Sequence, residues 1–131
     1  MNAQKLTQKS LEAVAAAQRT ATEYGNPQVE QEHVLFALCE QEGGLIGELL
    51  TKMEIPAKGV RTQALDAVEK LPRMSGGGRD PEKIYISQDL DRALNEAENI
   101  AGRMKDEYVS VEHLFLGLLE RPNAALRKIF E

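Results

Sequence analysis

Two Glu-His pairs, Glu32-His33 and Glu112-His113, are the side chains whose types most suggest chemistry, and they stand 80 positions apart. Two histidines and two carboxylates in a helical bundle are the raw material of a di-metal centre. Such centres use Glu-x-x-His, which sets both ligands on one helix face. Here the partners are adjacent, and adjacent residues on a helix point about 100° apart. Each pair also opens an apolar helical run instead of sitting within it. The spacing therefore favours a capping duty, with the glutamates at the positive end of the helix dipole and the histidines bonded to neighbouring turns. No serine or cysteine nucleophile motif accompanies them. The single cysteine, Cys39, lies in an apolar stripe, can form no internal disulfide, and reads as a small buried hydrophobe. Gly76-Gly77-Gly78 lacks both the lysine-hydroxyl pair and the preceding strand of a phosphate-binding loop. We read no catalytic residue and no metal site.

The elements that carry the two pairs are copies of one another. Val29-Glu-Gln-Glu-His-Val-Leu-Phe-Ala-Leu-Cys-Glu40 returns as Val109-Ser-Val-Glu-His-Leu-Phe-Leu-Gly-Leu-Leu-Glu120. In the second copy Leu114, Phe115, Leu118 and Leu119 recur at helical spacing, as Val34, Leu35, Leu38 and Cys39 do in the first. The register holds well upstream, where Gln8, Ala13, Ala17 and Ala21 match Gln88, Ala93, Ala97 and Ala101. Nine identities at one constant offset, kept through two loops, indicate a duplicated unit.

Taken in order, Thr7 is placed to cap a first helix whose stripe runs Ser10, Ala13, Val14, Ala17, Ala21 and Tyr24, and Gly25 to end it in a left-handed turn. A second helix spans about 30–40, Gly43-Gly44 turns the chain into a short third, and Ile55-Pro56 starts a fourth that Pro72 stops. Residues 72–84 read as a mobile glycine-rich linker. Ser87 and Ser110 cap the corresponding helices of the second copy. Its first helix, with Leu90, Leu94, Ile100 and Met104, is greasier than its twin. Tyr24, Tyr85 and Tyr108 are expected to cover the core edge. No stretch alternates with period two, so the fold class is all-α: a duplicated four-helix repeat with pseudo-twofold symmetry, repeat one over 1–71 and repeat two over 85–131, with the last helix truncated at Glu131.

A chain of 131 residues makes one domain. Its net charge of −5, with no basic block, argues against nucleic acid as a partner. No apolar run reaches membrane-spanning length, and the start lacks the apolar segment of a secretory signal, which points to the cytoplasm. The uneven apolar inventory leaves two readings open for the second copy's long helix: all core, or a surface groove suited to unfolded segments.

Leu6-Thr7, Glu32-His33-Val-Leu-Phe-Ala-Leu38, Gln41-Glu-Gly-Gly-Leu45, Leu71-Pro72, Ile86-Ser-Gln-Asp-Leu90 and Val111-Glu-His-Leu-Phe-Leu-Gly-Leu118 together resemble the N-terminal domain of Clp-type AAA+ unfoldases. The glycine-rich linker is most similar to that of the ClpB-type disaggregases. The resemblance covers essentially the whole chain. It implies a substrate-recognition module, tethered to a hexameric ATPase ring, that engages unfolded or aggregated polypeptide and passes it on. It also implies ATP and magnesium in the longer parent and no cofactor in this domain, and an isolated domain that is a monomer. Matched position by position, it assigns Thr7, Asp106 and Glu112 to a polar substrate-binding patch, and Leu90, Leu94, Ile100 and Leu114 to an apolar groove. Glu96 departs from the apolar residue expected in that groove. A degradative Clp N-domain that docks adaptor proteins or phospho-arginine is the alternative reading.

Overall fold

A computed structural model describes residues 2–74 and 85–131, so most of the glycine-rich linker lies outside the described residues. After a 3-10 turn at Ala3–Lys5, the chain forms α1 (Gln8–Glu23), α2 (Gln31–Glu40), α3 (Leu45–Lys52), α4 (Ala57–Glu69), α5 (Gln88–Arg103), α6 (Val111–Glu120) and α7 (Ala124–Ile129). The bounds of α1 and α5 differ by 80 residues at both ends, and so do those of α2 and α6. The caps explain this identity of length. The Thr7 hydroxyl accepts from the Ser10 N–H and the Ser87 hydroxyl from the Leu90 N–H, each satisfying a donor that the first helical turn leaves orphaned.

The C-termini of the two long helices also match. The Asn26 N–H returns to the Ala21 carbonyl, and the Asp106 N–H to that of Ala101, both at 2.9 Å. The closure requires a left-handed residue before it. In α1 that residue is Gly25, at φ 68°; in α5 it is Lys105, at φ 60°, where a Cβ is strained. Lys105→Gly is therefore expected to stabilise the fold by up to about 1 kcal/mol, once the entropy glycine adds to the unfolded chain is subtracted. Gly25→Ala should destabilise by about 1 kcal/mol. Urea midpoints of the two variants check both signs.

The halves interlock instead of lying side by side. Leu6 forms a parallel bridge with Val109, and Ile86 forms one with Val29. These are one contact written twice: adding 80 to Leu6 gives Ile86, and adding 80 to Val29 gives Val109. The Thr7 N–H donates to Val109 O and the Ser87 N–H to Val29 O, at 3.1 and 3.0 Å; the return bonds from Val109 and Val29 to Lys5 and Tyr85 are both 2.8 Å. Each repeat's entry segment thus pairs with the loop that leads into the other repeat's motif helix, which fixes a pseudo-twofold axis.

Around that axis the buried positions are also paired. Ala13, Ala17 and Ala21 are buried with Ala93, Ala97 and Ala101, Leu35 with Phe115, and Ile46 with Leu126. Small residues on α5 let α6 come close enough that a Cβ built on Gly117 would lie 2.4 Å from the Ala93 carbonyl oxygen. The first repeat has α4, which packs on α2 and α7. Tyr24 lies beneath the Arg73 guanidinium. Tyr85 and Tyr108, expected at the core edge, are instead 47% and 50% exposed, because both sit on the outer side of the segments that make the bridges. Cys39 is half-buried, and burial pushes its thiol up to about 11, so at neutral pH it stays a protonated hydrophobe.

Candidate functional site

The histidines are capping groups, and their geometry is the same twice over. His33 Nδ1 accepts from the Glu30 N–H at 2.8 Å, and His113 Nδ1 from the Ser110 N–H at 2.9 Å. A neutral ring accepting at Nδ1 carries its proton on Nε2. That nitrogen faces Asn26 Oδ1 at 2.8 Å in the first repeat and Asp106 Oδ2 at 2.9 Å in the second. Each imidazole therefore ties the start of its motif helix to the C-terminal turn of the helix before it. Both ring nitrogens are committed, and among the described residues no group of three or more His, Cys, Asp or Glu is arranged to hold a metal ion.

Two clefts open where the repeats meet, one on each side of the axis. The first, of about 410 Å³, lies between α4 and α7 and is lined by Glu32, Asp66, Lys70, Leu71, Lys128 and Ile129 among others. The second, of about 400 Å³, is lined by Thr7, Gln41, Gly44, Leu45, Ser110 and Glu112 among others, and lies between the starts of α1, α3 and α6.

Side chains lock the first side. Gln31 is fully buried. Its Nε2 donates to the carbonyls of Asp89 and Arg121, both at 2.8 Å, and its Oε1 accepts from the Asn123 N–H at 2.9 Å. Asn123 Nδ2 donates to Glu32 Oε1 at 2.8 Å, while Asn123 Oδ1 caps α7 by accepting from the Leu126 N–H. Glu32 is only 4% exposed. Burial raises its carboxyl above the ordinary range, against the lowering effect of the Asn123 bond. An acid whose folded pKa is raised favours folding below its unfolded pKa, and that contribution is lost as pH rises through the folded pKa. Glu32→Gln keeps an acceptor for Asn123 and removes the charge. It should raise the melting temperature at pH 7, with the gain vanishing below the ordinary carboxylate range; a gain independent of pH would contradict this account.

The structure brings Thr7 and Glu112 together on the second cleft. Asp106 is set apart, holding His113, with its side chain about half exposed. Leu90 and Leu114 are core residues and Ile100 is 7% exposed; Leu94 is half-buried against the core. Of the four aliphatics assigned to a groove, Leu94 alone offers substantial surface, because α5 and α6 pack their apolar stripes on one another within the second repeat. Glu96 spans that helix pair, reaching Arg103 at 3.3 Å and Arg121 at 3.7 Å. The largest exposed apolar groups are others: Met104, Tyr108, Tyr85, Met53 and Leu45. Leu45 belongs to the second cleft, and its only sequence signal was its place at the edge of the α3 stripe.

The family model of the Clp repeat (R) N-terminal domain matches residues 5–131. The chain belongs to this family. Among relatives of this Clp N-domain, the chaperone protein ClpB of Nitratidesulfovibrio vulgaris is 39% identical over 126 residues, covering 96% of this chain and 15% of that one. The ClpB of Clostridium tetani is 33% identical over 131 residues, 100% of this chain and 15% of its own. The chain thus spans about 15% of the length of these curated relatives. The fold is shared with the Hsp104 N-terminal domain from Candida albicans, at a TM-score of 0.83 and 22% identity, covering 96% of this chain and 79% of that one. It is shared too with the ClpV N-domain in its complex with a VipB peptide, at a TM-score of 0.78 and 20% identity, covering 97% and 78%. No helix among the described residues is long and apolar enough to cross a membrane.

Proposed function

We propose that this Clp N-domain recognises unfolded or aggregated polypeptide on behalf of an ATP-driven hexameric disaggregase and hands it to the ring. ATP and magnesium belong to the ring, and this domain uses no cofactor of its own. The observation that carries the reading is kinship with ClpB chaperones over 96% of the chain. The ClpV N-domain, similar in fold, is solved with a peptide, which supports polypeptide as the ligand class. The surface suits weak, sequence-tolerant capture: Leu45, Leu94, Met104 and Tyr108 are separate, partly exposed apolar contacts, each stabilising by about 0.5–1.5 kcal/mol once its exposed part is covered. Association and ordering costs take much of that, so affinities of micromolar or weaker are expected.

A titration with a destabilised, unfolded protein tests the proposal. Amide signals of Thr7, Leu94 and Glu112 should shift, and Leu94→Glu should weaken binding several-fold with helicity intact. Absence of any shift, or undiminished binding by the variant, would remove the assignment. The alternative, a phospho-arginine-docking domain of a degradative Clp, finds support in the first cleft, which presents acids (Glu32, Asp66) beside bases (Lys70, Lys128). Free phospho-arginine, titrated in parallel, distinguishes the two by shifting Glu32 and Lys128 instead.

A further inference from the structure

The pseudo-axis provides a controlled comparison within one chain. The two sides at which the repeats meet share matched bridges and matched hydrogen bonds to Val29 and Val109, while the turns into α3 and α7 differ, Gly43 standing at φ 61° and its counterpart Asn123 at φ −79°. Their apolar filling is matched too, since Leu35 and Phe115, and likewise Ile46 and Leu126, are all fully buried. The polar residues differ. Gln31 corresponds to Val111, and Asn123 to Gly43. Four side-chain hydrogen bonds therefore join the repeats on the α2 side: three through Gln31 and one from Asn123 to Glu32.

On the α6 side, among the described residues, one such bond crosses besides an exposed one from Lys5 Nζ to Glu98: Ser10 Oγ donates to Val109 O at 2.9 Å. The bond from Gln41 to the Lys9 carbonyl stays within the first repeat. An ion pair of Lys5 and Glu98 at 3.4 Å joins the repeats nearby, but both side chains are well exposed and such pairs hold little. Gly43, at φ 61°, has open space where a Cβ would stand. The Glu112 carboxylate enters no hydrogen bond or ion pair among the described residues, although its counterpart Glu32 is held by Asn123.

We propose that the domain opens asymmetrically: the α2 side is a fixed hinge, and the α6 side parts to admit a polypeptide segment between α1, α3 and α6. The entry of a segment rests on the function proposed above; the asymmetry itself rests on the hydrogen bonds alone. Local openings follow the weakest set of contacts that can break together, and each hydrogen bond missing from one side lowers the cost of opening there. The side that parts is the one carrying Thr7, Leu45 and Glu112, so the ligand-facing residues and the movable contact coincide.

Amide hydrogen exchange on the whole 131-residue chain tests this, because counterpart amides can be compared directly once intrinsic rates are removed. Leu11 should exchange at least about tenfold faster than Asp91, and Phe115 at least about tenfold faster than Leu35. Equal or reversed protection would overturn the proposal. A second variant moves the glutamine part of the lock: Val111→Gln, which sets an amide at the position matched to Gln31. Protection at Leu11 and Phe115 should then rise, and binding of the unfolded protein should fall about fivefold or more. If the variant does not fold, the comparison within the natural chain decides alone. If the natural chain shows the asymmetry but binds no unfolded protein, the proposed function fails and the hinge stands.

Discussion

Gly117→Ala is expected to destabilise the domain by roughly 1–3 kcal/mol, as overpacking of a tight helix crossing does. The added Cβ would stand 2.4 Å from the Ala93 carbonyl oxygen and 3.0 Å from the Ala97 nitrogen. These are backbone atoms of α5, so no side-chain rotation relieves the clash, and the two helices must move apart. The counterpart position in the first repeat already holds Ala37, buried against α1 without such a conflict. Ala37→Gly should therefore cost only the ordinary helix penalty, about 1 kcal/mol. Chemical denaturation of both variants checks the contrast. Equal losses would mean that the two helix pairs cross at the same separation.

The second large effect belongs to Gln31. Replacing it with leucine keeps the volume but leaves the Asp89 and Arg121 carbonyls and the Asn123 N–H without their partner in a buried place. A buried polar group left unmade costs about 1–3 kcal/mol, so a loss on the order of 3 kcal/mol or more is expected. Gln41→Leu breaks a single exposed bond to the Lys9 carbonyl and should stay within about 0.5 kcal/mol. A Gln31→Leu domain of undiminished stability would show that water reaches those three groups.

Much of the fold was legible in the chain because it is written locally. Thr7, Ser87 and Ser110 are hydroxyls placed where a helix start needs an acceptor, and Gly25 stands where a left-handed residue is required. The constant offset then carried each local reading to its copy. It carried one more than was used: the match of Lys105 to Gly25 marks a strained lysine that composition alone conceals.

The long-range features were not legible. Nothing around Leu6 announces Val109 as its partner, because two short extended segments carry no alternating pattern. Nothing in the sequence marks Gln31 as buried, since a glutamine is buried only when several distant backbone groups converge on it. Which of the groove aliphatics are buried was hidden for a related reason. Helical spacing places Leu90 and Leu114 each on an apolar stripe, but it does not say which stripe another helix covers, and the packing of α5 on α6 covers both. Of the residues assigned to binding, Thr7 and Glu112 meet on one cleft, whereas Asp106 serves His113.

The crossed bridges mean that half of this chain has no means of completing itself. A peptide carrying only residues 1–71 would hold the edge of Leu6 and the N–H of Val29 ready, with their partners missing. Two such peptides are expected to supply each other's missing edges in a symmetric dimer, which sedimentation of the fragment would show. The joined chain has the geometry of a dimer made covalent, in which each copy can carry a different residue at a matched position, as Gln31 and Val111 do.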